Sequence, residues 1–439
     1  MDAFSIARNQ FEIRYPDTLK RMTKLVSGNQ PEIASAVDDK NEIKTRFPKT
    51  SGQTLAFLEE SSSPNSHPLK VGVVFSGGPA SGGHNVVAGI FEGLKQLESL
   101  ANLVGFLNGP GGIVHGRFME VTQTHIDQYR NTGGFDMLGS GRDKIESQQD
   151  LEKAAITVDE IGLDTLVVIG GDDSNTNAAV LAEYFASKNI KTRVLGVPKT
   201  IDGDLQNEYV EMTFGFHTAT QVYAGLVSHI ARDIISSRKY YHFVRLMGRA
   251  ASHIAQEVAL LIHPNKVLIS EEVAHHGWTL SKVVKDLADL VELREQHNKN
   301  FGLILIPEGI VEFMPDVQLL IAELSDSMAK HHDEFEALDE LDQKINLVVT
   351  WLTPESTRLF LDLPKFVQTQ LIADRDPHGN VQVSKIETEK LLGSMVGIEL
   401  LDRASKAKFN FQSHFFGYEG RCAPPTNFDA NYGLSLIHI

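Results

Sequence analysis

The sequence predicts an α/β protein with two doubly wound parallel-sheet domains and a helical insertion. Short apolar runs rich in β-branched residues alternate with helical stretches along most of the 439-residue chain. This is the pattern of sheets whose parallel strands are joined by crossover helices. Several of the runs end in glycine-rich turns that also contain acidic or basic residues. The segment at about 311–400 differs, because it has helical periodicity and no glycine-rich turn.

The composition indicates which class of protein this is and which partners are excluded. A hydrophobic content of 42% and a charged content of 22% are typical of globular proteins. The net charge of −16 argues against nucleic acid or an anionic membrane as a partner, because both require a basic surface. No apolar stretch approaches the roughly 18 residues of a membrane-spanning helix, and the N-terminus lacks a basic region followed by an apolar run. We therefore predict a cytoplasmic protein.

Changes in this pattern divide the chain into four parts. Residues 1–66 form an N-terminal extension that ends in a polar linker at 61–66, and we expect it to serve packing or oligomerisation. Residues 67–208 form the first doubly wound domain, and 209–432 form the second, which includes the insertion. Residues 433–439 resemble neither a finished helix nor a capped end, so we expect a truncated or non-native terminus.

The first domain begins with a buried strand at 70–75, a glycine-rich turn at 76–83 and a helix at 86–97. A strand, a glycine-rich turn and a helix together can cradle a phosphate. The turn lacks the lysine of a P-loop and the spacing of a dinucleotide fingerprint, so alone it is a weak signal. After a strand at 103–106, a second glycine-rich turn contains Arg142, whose guanidinium suits contacts with two phosphate oxygens.

A third turn, at 170–173, follows a predicted strand at 163–169. The next helix is expected to begin on the Ser, Asn and Thr residues at 174–177, which are good caps. Paired glycines let a ligand approach the backbone, and a helix N-terminus attracts an anion. Two adjacent carboxylates at an anion site require a cation, so we expect a phosphate that is bound together with Mg²⁺.

A fourth turn, at 198–204, follows a strand at 193–197. The carboxyl ends of parallel strands share one edge of a sheet, and ligands bind at that edge. The four turns bring acids and cations together: Asp172, Asp202 and Asp204 with Lys199 and Arg142. This balance favours phosphoryl transfer, in which cations and amides bind the phosphates and carboxylates handle the metal and a hydroxyl proton.

The second domain repeats the alternation of strands and helices. Strands are predicted at 240–246, 266–272 and 301–306, and helices at 216–230, 251–262 and 279–297. Arg249 follows the first of these strands and Glu308 follows the third. Near the end, Tyr418 and Arg421 lie in a predicted tight loop.

Six motifs in this order resemble the phosphofructokinase family, over roughly residues 68–432. They are Ser76-Gly77-Gly78, Gly170-Gly171-Asp172-Asp173, Pro198-Lys199-Thr200-Ile201-Asp202-Gly203-Asp204, Met247-Gly248-Arg249, Pro307-Glu308-Gly309 and Tyr418-Glu419-Gly420-Arg421. The resemblance implies a phosphofructokinase-like fold. It also implies a glycolytic kinase that phosphorylates the C1 hydroxyl of fructose 6-phosphate to give fructose 1,6-bisphosphate.

Two positions bear on the phosphoryl donor. Members of the family that use ATP have glycine where this chain has Asp173 and Lys199. The pattern here, the extension and the insertion all resemble the long form of the pyrophosphate-dependent group, which implies reversible transfer and release of phosphate. Asp173 would exclude the α-phosphate of ATP, and Lys199 would stabilise charge on the pyrophosphate. Residues 67–208 would then be the pyrophosphate and magnesium domain, and 209–432 the fructose 6-phosphate domain.

The resemblance also implies a role for each matching residue. Asp202 would be the base, with Lys199, Asp173, Thr200 and Asp204 completing the catalytic set. Gly77, Gly78, Arg142 and Gly171 would bind the donor, and Asp172 would bind Mg²⁺. The sugar phosphate would be bound by Thr200, Ile201, Asp202, Lys239, Tyr240, Met247, Gly248, Arg249, Glu308, Tyr418, Glu419, Gly420 and Arg421. Lys239 and Tyr240 match positions at which members of the family contact the active site of a neighbouring subunit. This implies a homo-oligomer, a dimer or higher.

Two alternatives stay open. One is an ATP-dependent 6-phosphofructokinase, against which Asp173 and Lys199 argue. The other is a non-catalytic regulatory subunit of the same fold, which would be free to lose its base, yet Asp202 and its neighbours are intact. Lipid and NAD kinases share a similar glycine–aspartate turn, but they would not explain the motifs at 247–249 and 418–421.

Overall fold

The structure is a computed structural model that describes residues 10–12, 14, 23–27, 38–54, 56–60, 68–97, 99–206, 210–373 and 381–435. These residues form two compact units. Unit 1 takes the described residues of Met1–Ile201, Leu205–Ala219 and Arg421–Ile439, and unit 2 takes those of Asp202–Asp204 and Thr220–Gly420. The predicted linker at 61–66 and the last four residues of the predicted terminus lie outside the described residues, as does the predicted boundary between 208 and 209.

Unit 1 contains seven named strands among its described residues. They are β1 (Thr23–Ser27), β2 (Ala56–Glu60), β3 (Lys70–Ser76), β4 (Asn102–Phe106), β5 (Phe118–Glu120), β6 (Thr165–Gly170) and β7 (Arg193–Pro198). Its helices up to β7 are α1 (Lys40–Arg46), α2 (Gly83–Leu97), α3 (Gly111–Val114), α4 (Gln123–Tyr129), α5 (Gln148–Ile161) and α6 (Asp172–Ser187). The strands β1 and β2 form an antiparallel pair, which the sequence did not predict.

The main sheet of unit 1 has the strand order β5-β4-β3-β6-β7 and is parallel except at β5. The chain leaves β3 towards β4 on one side and reaches β6 on the other, so β3 lies at the switch point where such sheets bind ligands. Ser76 pairs with Gly170, and Gly170 pairs with Pro198. The register therefore places the turns after β3, β6 and β7 at the same edge, and the predicted doubly wound sheet is confirmed.

The start of α6 differs from the prediction. The helix begins at Asp172, with Gly171 as its N-cap, rather than on the residues at 174–177. Two acids in the first turn of a helix interact favourably with the N-terminal dipole. Asn175 donates instead to the carbonyls of Gly170 and Gly171, at 2.7 and 2.9 Å. Both acids therefore belong to the helix terminus itself.

The N-terminal extension packs on α6 through one acidic side chain. The backbone N–H groups of Lys49 and Thr50 each donate to the Glu183 carboxylate at 2.9 Å. The Thr50 hydroxyl makes a further bond of 2.9 Å to the same group. These bonds attach the 47–50 segment to the helix whose N-terminus holds Asp172.

Unit 2 contains a four-stranded sheet with the order β11-β8-β10-β9, parallel throughout. Its strands are β8 (Tyr241–Leu246), β9 (Lys266–Val267), β10 (Gly302–Pro307) and β11 (Phe411–Phe416). Its first helices are α7 (Phe216–Ser237), whose first turn belongs to unit 1, α8 (His253–Ile262), α9 (Ser270–His276) and α10 (Leu280–Gln296). Leu246 pairs with both Pro307 and Phe416, so the predicted sites after β8 and β10 share one edge.

The predicted strand at 266–272 is wrong beyond Val267, because a helix begins at Ser270. Glu271 and Glu272 lie in the first turn of α9, and His275 and His276 lie in its last turn. The two acids in the first turn suit the positive end of the helix dipole. In the sequence, the apolar run before Ser270 continues the strand pattern, so the start of the helix was not recognised.

The expected helical insertion is confirmed. Its elements are a 3₁₀ turn (Ile310–Phe313), α11 (Pro315–Lys330), α12 (His332–Glu336), α13 (Leu341–Val349), α14 (Pro354–Asp362), α15 (Lys365–Ala373), a 3₁₀ turn (Val383–Lys385) and α16 (Thr388–Asp402). Their buried side chains, such as Leu320, Phe360 and Leu392, join one hydrophobic core with Phe243 of β8. The insertion therefore completes the core of unit 2.

The remaining elements are α17 (Tyr418–Arg421) and α18 (Asn427–Ser435). The predicted tight loop at 418–421 is thus a single helical turn. Asp429 of α18 accepts the N–H groups of Gly215 and Thr218 at 3.0 and 2.8 Å, which caps the start of α7. Asn85 of α2 donates to the carbonyl of Ala430 at 3.2 Å, so both segments join unit 1, whereas the sequence-based division assigned 210–219 and 421–432 to the second domain. In the described part of the chain, no helix is long and apolar enough to cross a membrane.

Candidate active site

The first two glycine-rich turns lie side by side in unit 1. The Gly77 N–H donates to the carbonyl of Gly141 at 2.8 Å, and Ser76 forms a parallel bridge with Gly141. Gly77 has a φ of 81°, a conformation that favours glycine. The structure thus brings the turn of Arg142 next to the turn of Gly77 and Gly78, and the Arg142 side chain is exposed.

A pair of buried serines connects the Gly77 turn to α6. The Ser174 hydroxyl donates to the Ser76 hydroxyl at 2.8 Å, and both residues are buried. A hydrogen bond between two buried hydroxyls fixes the two segments of the chain that carry them. The sequence prediction missed this link, because its two serines are 98 positions apart.

Lys199 is buried beside the N-terminus of α6. Only 5% of the residue is exposed, and its backbone N–H donates to the Gly170 carbonyl at 2.9 Å. Its Nζ lies 3.8 Å from the position that a Cβ would take at Gly171. A buried ammonium group therefore accompanies the positive end of the helix dipole, which makes this turn a strong anion site.

Asp173 is exposed and faces a second lysine. Lys144 Nζ lies 3.5 Å from Asp173 Oδ1. The sequence prediction missed Lys144, although it follows Arg142 by two positions. Both side chains are largely exposed, so the pair contributes little to stability, but it places another cation at this helix terminus.

Arg421 lies against the Gly77–Gly78 turn. Its Nε donates to the carbonyl of Pro79 at 2.9 Å, and its guanidinium occupies the space that a Cβ at Gly78 would need. Arg421 therefore belongs to unit 1, whereas Tyr418, Glu419 and Gly420 belong to unit 2. Its predicted role in binding the sugar phosphate stays a prediction.

In unit 2, two predicted carboxylates fix the loop after β8. The Gly248 N–H donates to Glu308 Oε2 at 3.2 Å, and Glu308 is buried. The N–H groups of Arg249 and Ala250 point to Asp202 Oδ2, at 3.1 and 3.4 Å. The structure thus places the predicted base directly beside the predicted sugar-phosphate loop.

The Arg249 side chain faces an acid that the sequence prediction missed. Arg249 Nε lies 3.6 Å from Oε1 of Glu312, in the 310–313 turn. Burial raises the pKa of Glu312, and the charge of Arg249 acts in the opposite direction. The sequence gives little indication of this pair, because Glu312 lies in a run without a motif, four positions after Glu308.

The segment with the predicted base crosses from one unit to the other. Thr200 and Ile201 belong to unit 1, where the Thr200 carbonyl accepts the Thr213 hydroxyl at 2.6 Å. Asp202 and Asp204 belong to unit 2. Asp204 Oδ1 is buried and accepts no hydrogen bond from the described residues, so it is available to a hydrogen-bond donor on a ligand.

The other predicted sugar-binding residues are in unit 2. Met247 is buried, Lys239 is exposed, and Tyr418 is exposed. Glu419 accepts the Gly417 N–H at 2.8 Å, and Gly420 packs on the ring of Tyr223. Their roles in binding the sugar phosphate stay predictions.

The donor atoms beside α6 suit Mg²⁺. Within the described residues, no group of three His, Cys, Asp or Glu side chains could hold a metal by itself. Mg²⁺ does not require one, because it binds through one or two carboxylates and completes its shell with water and substrate phosphates. The exposed carboxylate of Asp172 at an anion-binding helix terminus supplies that kind of ligand.

Comparison with known proteins identifies the class to which this fold and this site belong. A family model described as "Phosphofructokinase" matches residues 70–346. The chain belongs to the phosphofructokinase family.

Its curated relatives specify the donor in their names. The chain is 48% identical to the "Pyrophosphate--fructose 6-phosphate 1-phosphotransferase" of Treponema pallidum, over 98% of this chain and 77% of the relative. It is 47% identical to the protein of the same name from Porphyromonas gingivalis, over 99% of this chain and 79% of the relative. It is 49% identical to subunit beta 1 of the Arabidopsis thaliana protein, over 96% and 73%.

Solved structures confirm the fold. A phosphofructokinase from Saccharomyces cerevisiae matches with a TM-score of 0.56 and 15% identity, over 85% of this chain and 38% of that one. A pyrophosphate-dependent phosphofructokinase from Nitrosospira multiformis matches with a TM-score of 0.55 and 16% identity, over 84% and 74%. At such identities the likeness concerns the fold alone.

Proposed function

We propose that the chain transfers a phosphoryl group from pyrophosphate to the C1 hydroxyl of fructose 6-phosphate. The products are fructose 1,6-bisphosphate and phosphate, and the reaction is a reversible step of glycolysis. The observation that carries the proposal is the buried Lys199 beside the Asp172–Asp173 helix terminus. Membership of the phosphofructokinase family and the names of relatives 47–49% identical support it.

Unit 1 supplies the groups that bind the donor. The turns of Gly77, Arg142 and Gly171 offer backbone amides and a guanidinium to the phosphates. Lys199 stabilises the charge that develops on the leaving phosphate, and a cation in a site shielded from water acts strongly. Asp173 lies where a longer polyphosphate would continue, and its carboxylate repels the α-phosphate of ATP.

Unit 2 supplies the base and most of the groups for the sugar. Asp202 takes the proton of the C1 hydroxyl as that oxygen attacks the terminal phosphorus of pyrophosphate. The bond from this phosphorus to the bridging oxygen breaks, and its electron pair leaves with the phosphate. Arg249 binds the 6-phosphate, and Glu308 positions the backbone beside Arg249 through the Gly248 N–H.

Asp172 holds Mg²⁺ in this proposal. The ion would neutralise part of the charge on the pyrophosphate oxygens, which assists the approach of a nucleophile. Asp204, whose Oδ1 accepts no hydrogen bond from the described part of the chain, accepts one from a ligand near the base.

The proposal also includes the assembly and the compartment. Lys239 and Tyr240 reach a neighbouring copy's site, so the enzyme acts as a homo-oligomer, a dimer or higher, in the cytoplasm. Plant relatives are named as subunits, which supports an assembly.

The test is a coupled assay of the purified protein with fructose 6-phosphate, Mg²⁺ and each donor in turn. We expect fructose 1,6-bisphosphate to form with pyrophosphate and only marginally with ATP, and to disappear when phosphate is added in excess. Formation with ATP alone would identify an ATP-dependent enzyme instead. No product with either donor, from a folded protein, would favour the non-catalytic subunit.

A further inference from the structure

The 310–313 turn presents Glu312 to the guanidinium of Arg249. The two groups lie 3.6 Å apart, with 33% of the Glu312 side chain and 61% of the Arg249 side chain exposed. The carboxylate is thus much less accessible than the arginine that it faces.

The turn itself is firmly anchored. Ile310, Val311 and Met314 are almost completely buried in the core of unit 2. Gly309 packs so closely on the carbonyl of Arg249 that a Cβ there would collide with it. The backbone of the turn therefore has little freedom to move relative to the loop after β8.

The backbone of Arg249 is also fixed, but its side chain is long. Asp202 accepts the Arg249 N–H, and Glu308 accepts the N–H of the preceding residue. These bonds leave the guanidinium free to adopt many rotamers, which a phosphate would have to order on binding. A carboxylate on an anchored turn beside the guanidinium reduces that disorder in advance.

We propose that Glu312 is a positioning residue that holds the Arg249 guanidinium ready for the sugar phosphate. The inference rests on the proposed function, because it takes Arg249 as the ligand of the 6-phosphate. Burial raises the pKa of Glu312, so this carboxylate depends on its cation more than an exposed one would. Stability alone does not explain the pair, because half-exposed ion pairs contribute little to folding.

The test compares Glu312→Gln with the wild type in steady-state kinetics. We expect the KM for fructose 6-phosphate to rise about 3- to 5-fold, the size typical of such an ion pair. We expect kcat and the KM for pyrophosphate to stay within about 1.5-fold of wild type, and Glu312→Asp to restore part of the loss. A change in folding alone would lower the active fraction, hence kcat, and leave KM unchanged.

A double-mutant cycle and a matched control complete the design. In an Arg249→Ala background, Glu312→Gln should have almost no further effect on KM, because its partner is absent. Asp342→Asn breaks a different exposed ion pair of the insertion, with Lys365, and should leave all constants unchanged. An unchanged or lowered KM in Glu312→Gln, or additivity in the cycle, would overturn the inference. If the wild type itself does not use the two substrates, the proposed function fails instead.

Discussion

Asp202 Oδ2 accepts the backbone N–H of Arg249 at 3.1 Å. The residue predicted to remove the substrate's proton is thus positioned by the loop predicted to bind the substrate's phosphate. The two groups share unit 2, so their spacing is a property of that unit alone.

Replacement of Asp202 by Asn should therefore separate binding from chemistry. The amide oxygen retains the hydrogen bonds to the loop, but the amide takes no proton. We expect kcat to fall by about 10²–10⁴, with the KM for fructose 6-phosphate nearly unchanged. Steady-state kinetics check this result, with circular dichroism to confirm folding. A variant with near-normal kcat would show that Asp202 is not the base.

Gly78→Ala should act through Arg421. The added methyl group takes the space of the guanidinium, so Arg421 must move. We expect the KM for fructose 6-phosphate to rise roughly 10-fold in Gly78→Ala and in Arg421→Ala, because each change removes a charge-assisted bond to the sugar phosphate. Gly78→Ala should also raise the KM for pyrophosphate, because Gly78 belongs to the predicted donor-binding turn.

The control is Gly225→Ala, since the Cβ position at Gly225 has open space around it. This variant should behave as wild type. If Gly78→Ala and Arg421→Ala change only the KM for pyrophosphate, Arg421 serves the donor and the predicted sugar-binding role is wrong.

His84 should make unit 1 sensitive to acid. The ring is fully buried; Nδ1 donates to the Thr132 hydroxyl, which itself donates to Tyr129, and Nε2 accepts the Met137 N–H. Both nitrogens are thus satisfied in the neutral form. Burial is the main cause that lowers the pKa of His84 from 6.5 to about 4, and the charge of Asp136 partly opposes it.

The sign of the effect follows from proton binding. Below pH 6.5 the unfolded chain protonates this histidine while the folded chain does not, so stability is full above 6.5 and falls as the pH drops to about 4. The loss is on the order of 3 kcal/mol. Urea unfolding at pH 7 and pH 5 should show a smaller loss for His84→Gln than for wild type. An NMR titration of His84 in the folded protein with a midpoint near 6.5 would contradict the account.

The architecture was largely predictable because buried parallel strands give unbroken apolar runs, as in β3, β6 and β10. The failures have local causes. The apolar run at 266–269 continues past a two-residue strand up to the start of a helix. In the sequence, only the acids after Ser270 indicate that the strand has ended and a helix has begun. Strand β11 was missed because its side chains are partly exposed and mixed in polarity.

The candidate site was predictable where glycines and acids follow strands, as at Asp172 and Asp202. It was not predictable where the partner comes from a distant or featureless segment. Ser174 meets Ser76, Asp429 caps α7 and Glu312 faces Arg249 only because the fold brings these segments together. Nothing in the local sequence indicates any of these contacts.

Asp173 and Lys199 are the two residues proposed to make pyrophosphate the donor. Lys199 is buried beside Gly171, whereas Asp173 is exposed at the same helix terminus. Lys199→Gly should therefore mainly weaken the pyrophosphate reaction, because it removes a cation without opening space. Asp173→Gly should relieve both the repulsion and the clash that would exclude ATP.

The most direct measurement is kcat/KM for pyrophosphate and for ATP in the wild type, both single variants and the double variant. We expect the wild type to prefer pyrophosphate by a factor of about 10³. Asp173→Gly should raise the ratio of ATP to pyrophosphate use, and the double variant should raise it furthest, with coupling between the two positions. A wild type that prefers ATP, or an Asp173→Gly enzyme with an unchanged ratio, would contradict the account.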